Sequence, residues 1–485
     1  MIQVVKQTAA RLIVGLMAVV LSIGVLNALS QPERAMAADG EGDLVAQALD
    51  VNSPRVSVGG VSVLSGVSFP AGDGTVKWTT DGGKITITLT NATVNANAVG
   101  LSVAQGEKAS KVPVELVVNG NNTLSYKSST RYTGGVLFGN CPSVTVSGAG
   151  TLGLSGYAYG FSWGNDTSGY TILKSGSLTV NGPTVATGGK PLCLSNAPAF
   201  EIKQGSVTCG DIDVDDYKQS GGTVKAGRLK AKKDGKSATL TERIHGSFTQ
   251  SGGTLSLASA DYRTSVLQAT TVTVTGGTLS IANSYAYPNA KTGAIDAGTL
   301  SIKGCKATLS AATASSFAVF ADTVKAADAA SLTISRGIVG SGISFKDAAG
   351  NVYKSTTEAT FSQKTFTVTL TGGANAKKAS VNTVKVGGCT YKVTVIGSKA
   401  FAKKSKLASA TLGANVKTIG ASAFSGSKKL KTLTVKSTAL TKANVKNSLK
   451  GSSIKKVKVP AKKVKAYKKV FTKKNAGKSV KVVKA

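Results

Sequence analysis

One short phrase recurs between about residue 76 and residue 345: glycine, a hydroxyl residue, then apolar residues at alternate positions. It reads GAGTLGLSG at Gly148, SGSLTVNG at Ser175, QGSVTCG at Gln204, SGGTVKAG at Ser220, SGGTLSLAS at Ser251, TGGTLSIAN at Thr275 and AGTLSIKG at Ala297. The Thr or Ser after the turn falls at Thr123, Thr151, Ser177, Ser206, Thr223, Thr254, Thr278 and Thr299, with intervals from 17 to 31 residues. A loose period of this size suits a solenoid whose loops vary in length.

Within each unit the alternation puts one set of side chains on one side of an extended chain. In VTVTGGTLSI, Val272, Val274, Leu279 and Ile281 point inward, with a glycine bend between two strands. A single coil cannot bury that face, whereas parallel stacking of coils buries a continuous column and turns the glycines into corners. A β-sandwich would alternate too, but it calls for regular hairpin turns such as Asn-Gly, which are scarce here. The expected fold is mainly β, with a right-handed parallel β-helix over residues 73–345 and Trp78 in its N-terminal cap.

A sharper period follows. Ile396, Gly397, Ala400, Phe401, Leu407, Ala410 and Leu412 return 23 residues later as Ile419, Gly420, Ala423, Phe424, Leu430, Leu433 and Val435. A third, weaker copy lies at Leu449, Gly451, Ile454, Val457 and Val459. A turn segment followed by a strand is the logic of a leucine-rich-repeat solenoid, here over 389–459. Pro460 then opens a helix with Val464, Tyr467 and Phe471 on one face, an expected cap helix with a lysine-rich tail over 460–485. A connecting β segment is expected over 346–388 and a linker over 38–72.

Charge separates the two solenoids. The chain carries a formal +36, and residues 371–485 hold 29 lysines with no Asp, Glu or Arg. Residues 38–370 hold 27 Lys plus Arg against 22 Asp plus Glu. Clustered like charge costs folding stability, so its retention points to steering, solubility or a polyanionic partner. Lysine without arginine favours diffuse point-charge attraction over bidentate recognition.

The N-terminus decides which polyanion to expect. Lys6 and Arg11 precede an apolar run over 12–29, and Ala35, Met36 and Ala37 supply a small-residue cleavage site, so residues 1–37 read as a signal peptide. The run also has the length of a retained membrane anchor. No second hydrophobic span follows. Export removes nucleic acid as the partner and leaves anionic cell-wall polymers, acidic polysaccharide or a host surface. The terminal VKVVKA is not an LPxTG-type sorting signal, so attachment to a wall would be noncovalent.

The IGxxAFxxxxxL pattern, the preceding CTYKVTVIGSKAF from Cys389 and the closing VPAKKVKAYKKVF from Val459 resemble the BspA-like leucine-rich repeats of bacterial surface proteins. The resemblance covers about the last 100 residues. It implies a cell-surface location and a role in adhesion or in displaying another domain. Where that family commonly has Cys in an AFxxC phrase, this chain has Lys404 and Ser427. The glycine-rich region is similar to the parallel β-helix superfamily of pectate lyases, polygalacturonases and noncatalytic carbohydrate-binding domains. That similarity implies polysaccharide contact without saying whether bonds are cut.

Three groups of residues invite chemistry. Asp211, Asp213, Asp215 and Asp216 in GDIDVDDYK are the densest carboxylates; along a strand the first three share a face and could hold calcium, the candidate ion, through oxygen ligands. Two carboxylates across a sugar could instead serve as general acid and base. A solvated acidic face paired with Lys230, Lys232 and Lys233 fits the same residues. An Asp-Asp pair followed by His245 resembles polygalacturonase, but Arg243 precedes that histidine and the NTD and GHG phrases are absent.

Tyr157, Tyr159, Phe161 and Trp163 occupy alternate positions, so an extended chain puts all four rings on one side. There they could stack on sugars with Asn165 and Asp166 nearby, or form an internal aromatic stack. Cys141, Cys193, Cys209, Cys305 and Cys389 are few and odd in number, which suits buried small hydrophobes better than a disulfide framework.

No catalytic residue is assigned, and calcium is the one candidate cofactor. The function expected is carbohydrate binding and adhesion at the cell surface. A polysaccharide lyase or hydrolase, or a purely protein-binding adhesin, are the alternatives.

Overall fold

The structure, a computed structural model, describes residues 54–485 apart from 98, 106–110, 127–133, 140, 164–175, 193–196, 232–245, 260–264, 284–292, 314–315 and 357–365. It forms a β-solenoid of about 13 turns with a short C-terminal helix.

Residues 84–339 wind into coils with three faces, each a parallel ladder. On the first face Lys84–Thr90 pairs with Val114–Asn119, which pairs with Ser143–Ser147, and the ladder continues through Ser247–Gln250 and Leu267–Val274. The second face runs through Thr151–Ser155, Thr223–Ala226, Thr254–Ser259 and Thr278–Asn283. The third begins with Leu101–Ala104, Gly134–Gly139 and Tyr159–Trp163 and ends with Ile338–Val339. Val272, Val274, Leu279 and Ile281 are all buried, as their alternation requires.

The corners explain the glycines. Gly277 has φ +73°, and a Cβ there would lie 2.3 Å from the carbonyl oxygen of Gly253 on the coil before. Only glycine combines that left-handed backbone with so close a stack. Buried amides tie the same corner together: Gln219 Nε2 donates to the Thr254 carbonyl at 3.1 Å, and Gln250 Nε2 to that of Thr278 at 3.0 Å. Such bonds offset the cost of burying polar groups.

The recurring phrase proves to serve two ladders. Thr151, Thr184, Ser206, Thr223, Thr254 and Thr278 stand in register on the second face. Ser177 and Thr299 lie on the first, paired with Ser143 and Thr271.

The N-terminal end is closed by antiparallel strands. Arg55–Val58 pairs with Leu101–Ala104, and Gly74–Asp81 with Lys84–Thr90. Trp78 is buried there and donates from Nε1 to the Val63 carbonyl at 2.7 Å, in keeping with a capping role. The expected linker over 38–72 therefore needs correction. From Arg55 onward it holds three short strands, Arg55–Val58, Val61–Val63 and Ser68–Ala71, because covering the open edges of a coil stack requires short antiparallel pieces.

At the other end, Ser344–Lys346, Val352–Ser355, Phe366–Gly372, Thr383–Val386 and Cys389–Ile396 form a mixed sheet. Gly337 N donates to the Gly387 carbonyl at 2.8 Å, which joins this module to the last coil.

The leucine-rich repeats then stack Lys378–Val381, Ser409–Leu412, Thr432–Val435, Lys456–Val459 and Lys481–Lys484 as a parallel ladder. Phe401 and Phe424, one repeat apart, stack with ring centroids 5.5 Å apart and 4° between planes. The helix Val464–Val470 buries Tyr467 and Val470, with Phe471 buried just beyond it. The expected short C-terminal helix is therefore present. The chain goes on to Lys481–Lys484, so the expected tail is a fifth strand of the ladder.

Candidate functional site

The aromatic strand turns inward. Phe161 pairs in register with Val136, and Trp163 with Phe138, so both rings sit above inward residues of the preceding coil. Tyr157, Phe161 and Trp163 are buried, whereas Tyr159 is half-buried. Trp163 packs against Phe138 at 5.6 Å between centroids, and Tyr157 stacks on Tyr126 at the same separation. Burial pushes the Tyr157 hydroxyl up to about 12. This corrects the sugar-stacking expectation for Tyr157 and Trp163, since a stacking platform needs an exposed ring face. Asn165 and Asp166 lie outside the described residues.

The acidic patch is also divided. Ile212–Gln219 is a strand on which Asp213 and Asp215 share the outward side, while Asp211 precedes it. The Asp211 carboxylate pairs with Arg228 at 2.6 Å and also accepts from the Arg228 backbone N–H at 3.0 Å. Asp216 accepts from the backbone N–H of Ser247 at 3.0 Å, one coil along. Asp213 stands in register with Lys230, and neither Asp213 nor Asp215 is without a partner. Among the described residues, no three His, Cys, Asp or Glu side chains are grouped as a metal ion would require. The calcium expectation for Asp211, Asp213, Asp215 and Asp216 is corrected accordingly: Asp211 is engaged by Arg228 and Asp216 by Ser247, and the four do not form such a group. His245, Arg243, Lys232 and Lys233 lie outside the described residues.

Cys141, Cys209, Cys305 and Cys389 are free thiols, and all but Cys305 are buried. Burial pushes Cys141 up to about 11 and raises Cys209 further, which suppresses the reactive thiolate. Cys193 is outside the described residues.

What remains is the surface of the leucine-rich repeats. Of the 29 lysines in 371–485, 26 are exposed and none is buried. On the strand ladder, the inward positions Ala410, Leu412, Leu433, Val435, Val457 and Val459 are buried. The outward positions form two rows, Lys378, Ser409, Thr432, Lys456 and Lys481 in one, and Ser380, Thr411, Thr434, Lys458 and Val483 in the other. Lys431 and Lys455 are neighbours just before the rows, with the Lys455 N–H donating to the Lys431 carbonyl at 2.8 Å. The sequence signal for the fifth strand was KVVK, 25 residues after KVKV, too short and too lysine-rich to read as core.

Residues 392–484 match the family model described as a BspA type leucine rich repeat region (6 copies). Among solved structures, the chain is similar to a leucine rich cell surface protein from Faecalibacterium prausnitzii A2-165, at 13% identity over 87% of this chain and 95% of that one, with a TM-score of 0.19. It is also similar to the pneumococcal vaccine antigen PcpA, at 11% identity over 87% of this chain and 100% of that one, with a TM-score of 0.18. At such TM-scores neither likeness bears on function. No curated protein matches the chain. The match to BspA-type leucine-rich repeats thus falls within the C-terminal solenoid. Among the described residues no helix is long and apolar enough to cross a membrane.

Proposed function

We propose that this is an exported surface adhesin whose lysine-rich repeats hold it on anionic wall or matrix polymers, while the β-solenoid body is displayed and contacts polysaccharide. The observation that carries the reading is the surface of 371–485: 26 exposed lysines and not one acidic residue in the same stretch to neutralise them. A module with nothing of its own to pair those charges leaves them for an external polyanion. For the solenoid body, the support is the register-aligned hydroxyl row Thr151, Thr184, Ser206, Thr223, Thr254 and Thr278, a neutral hydrogen-bonding strip along one face.

The test is sedimentation of the purified protein with washed bacterial cell walls across a salt series. Binding at low salt that is released as the Debye length shrinks from about 10 Å at 0.1 M to about 3 Å at 1 M supports the reading. Salt-insensitive binding, or none at low salt, refutes it.

A further inference from the structure

Resting on that reading, we propose that the binding seat is the outward strand face of the last repeats, and that its ligand is a linear, anionic, hydroxyl-bearing polymer lying across the strands. Lysines cover several sides of the repeats, so charge alone does not single out a face. Register does. Lys456 is paired directly with Lys481, and Lys431 adjoins Lys455 across the same ladder. Like charges directly opposite one another destabilise a sheet, and residues 371–485 contain no carboxylate to relieve them.

The rows also set hydroxyls among the ammonium groups. A chain crossing the strands at about 4.8 Å per step meets Lys378, then Ser409 and Thr432, then Lys456 and Lys481. A parallel chain about 6.7 Å away meets Ser380, Thr411 and Thr434, then Lys458 and Val483. The matching ligand offers hydroxyls as well as repeated negative charge. Lysine's unforked ammonium accepts a carboxylate or a phosphodiester alike, so the shared chemistry is an anionic, hydroxyl-bearing polymer.

The experiment uses the full chain and three probes: polygalacturonate for carboxylate, poly(glycerol phosphate) for phosphodiester, and dextran as the neutral control. One variant carries K455Q, K456Q, K458Q and K481Q. A second carries K399Q, K417Q, K442Q and K446Q, which removes the same charge elsewhere on the repeats. The strand-face variant is expected to lose about tenfold or more in affinity for at least one polyanion, and the second variant no more than about threefold. The polyanion that responds identifies the source of the negative charge.

Equal losses in the two variants overturn the assigned face while leaving the electrostatic reading standing. Failure of the unaltered protein to bind either polyanion overturns that reading itself. Should the fourfold variant not fold, amine labelling of the unaltered chain decides: selective protection of Lys455, Lys456, Lys458 and Lys481 by bound polymer supports the seat, and uniform protection refutes it.

Discussion

The hydroxyl of Ser427 donates to the carbonyl oxygen of Phe401 at 2.6 Å and accepts from the backbone N–H of Lys404 at 3.0 Å, joining one leucine-rich repeat to the one before it. Ser427 is fully buried and stands where the BspA-like pattern commonly has cysteine. The oxygen does what a thiol would do weakly, because a hydroxyl is the better donor and acceptor. Ser427→Ala leaves both backbone groups unpaired in the interior and should cost about 1–3 kcal/mol in chemical denaturation. Ser427→Cys should fall between the two. A loss in Ser427→Ala of only a few tenths would mean that the repeats are joined by apolar packing alone.

Lys403 has φ +57°, and the equivalent places in the next two repeats are Gly426 and Gly451, both near +72°. A side chain in the left-handed region costs about 1–2 kcal/mol, partly offset by the roughly 0.5–1 kcal/mol of extra chain entropy that glycine loses on folding. Lys403→Gly should therefore raise stability by about 0.5–1 kcal/mol. Lys403→Ala, which removes the charge and keeps the strain, should not. Equal gains from both would assign the effect to charge relief.

Much of the fold was legible because coil stacking imposes alternation and glycine corners on the sequence, as Val272, Val274, Leu279 and Ile281 illustrate. The two-ladder arrangement was not, since a corner before the first face and one before the second both read as glycine, hydroxyl, apolar. The third face was hidden by its short strands, such as Leu229–Ala231, and by the variable loops between them. Of the candidate site, the cationic surface was plain from composition. The fate of Trp163 was not, because every-second-residue spacing states that four positions share a side and leaves open which side faces water.

Trp163 is 4% exposed and lies against Phe138, so its contribution is packing. Trp163→Ala should destabilise the β-solenoid by about 3–5 kcal/mol, whereas Trp163→Phe should cost less because it keeps most of the apolar contact. Polysaccharide binding per folded molecule should be unchanged in either variant. A stable Trp163→Ala protein that had lost glycan binding would return the ring to a recognition role.

Glu115 sits on the first face with Lys84 from the coil before it and Ser147 from the coil after, whose hydroxyl donates to it at 2.7 Å. The hydrogen bond from Lys84 comes first, and that from Ser147 second, in holding its carboxyl below the ordinary value of 4.5. A carboxylate whose folded value is depressed contributes stability that is fully present above its unfolded value and is lost as pH falls through the folded one. Lys84 is 46% exposed, so solvent screening limits the contribution to about 1 kcal/mol or less. Glu115→Gln should thus be less stable than the unaltered chain near neutral pH, with the gap closing as pH falls through the lowered folded value of Glu115 and narrowing as salt is added. A gap that persisted unchanged at low pH would show that the amide disturbs packing and that the charge contributes nothing.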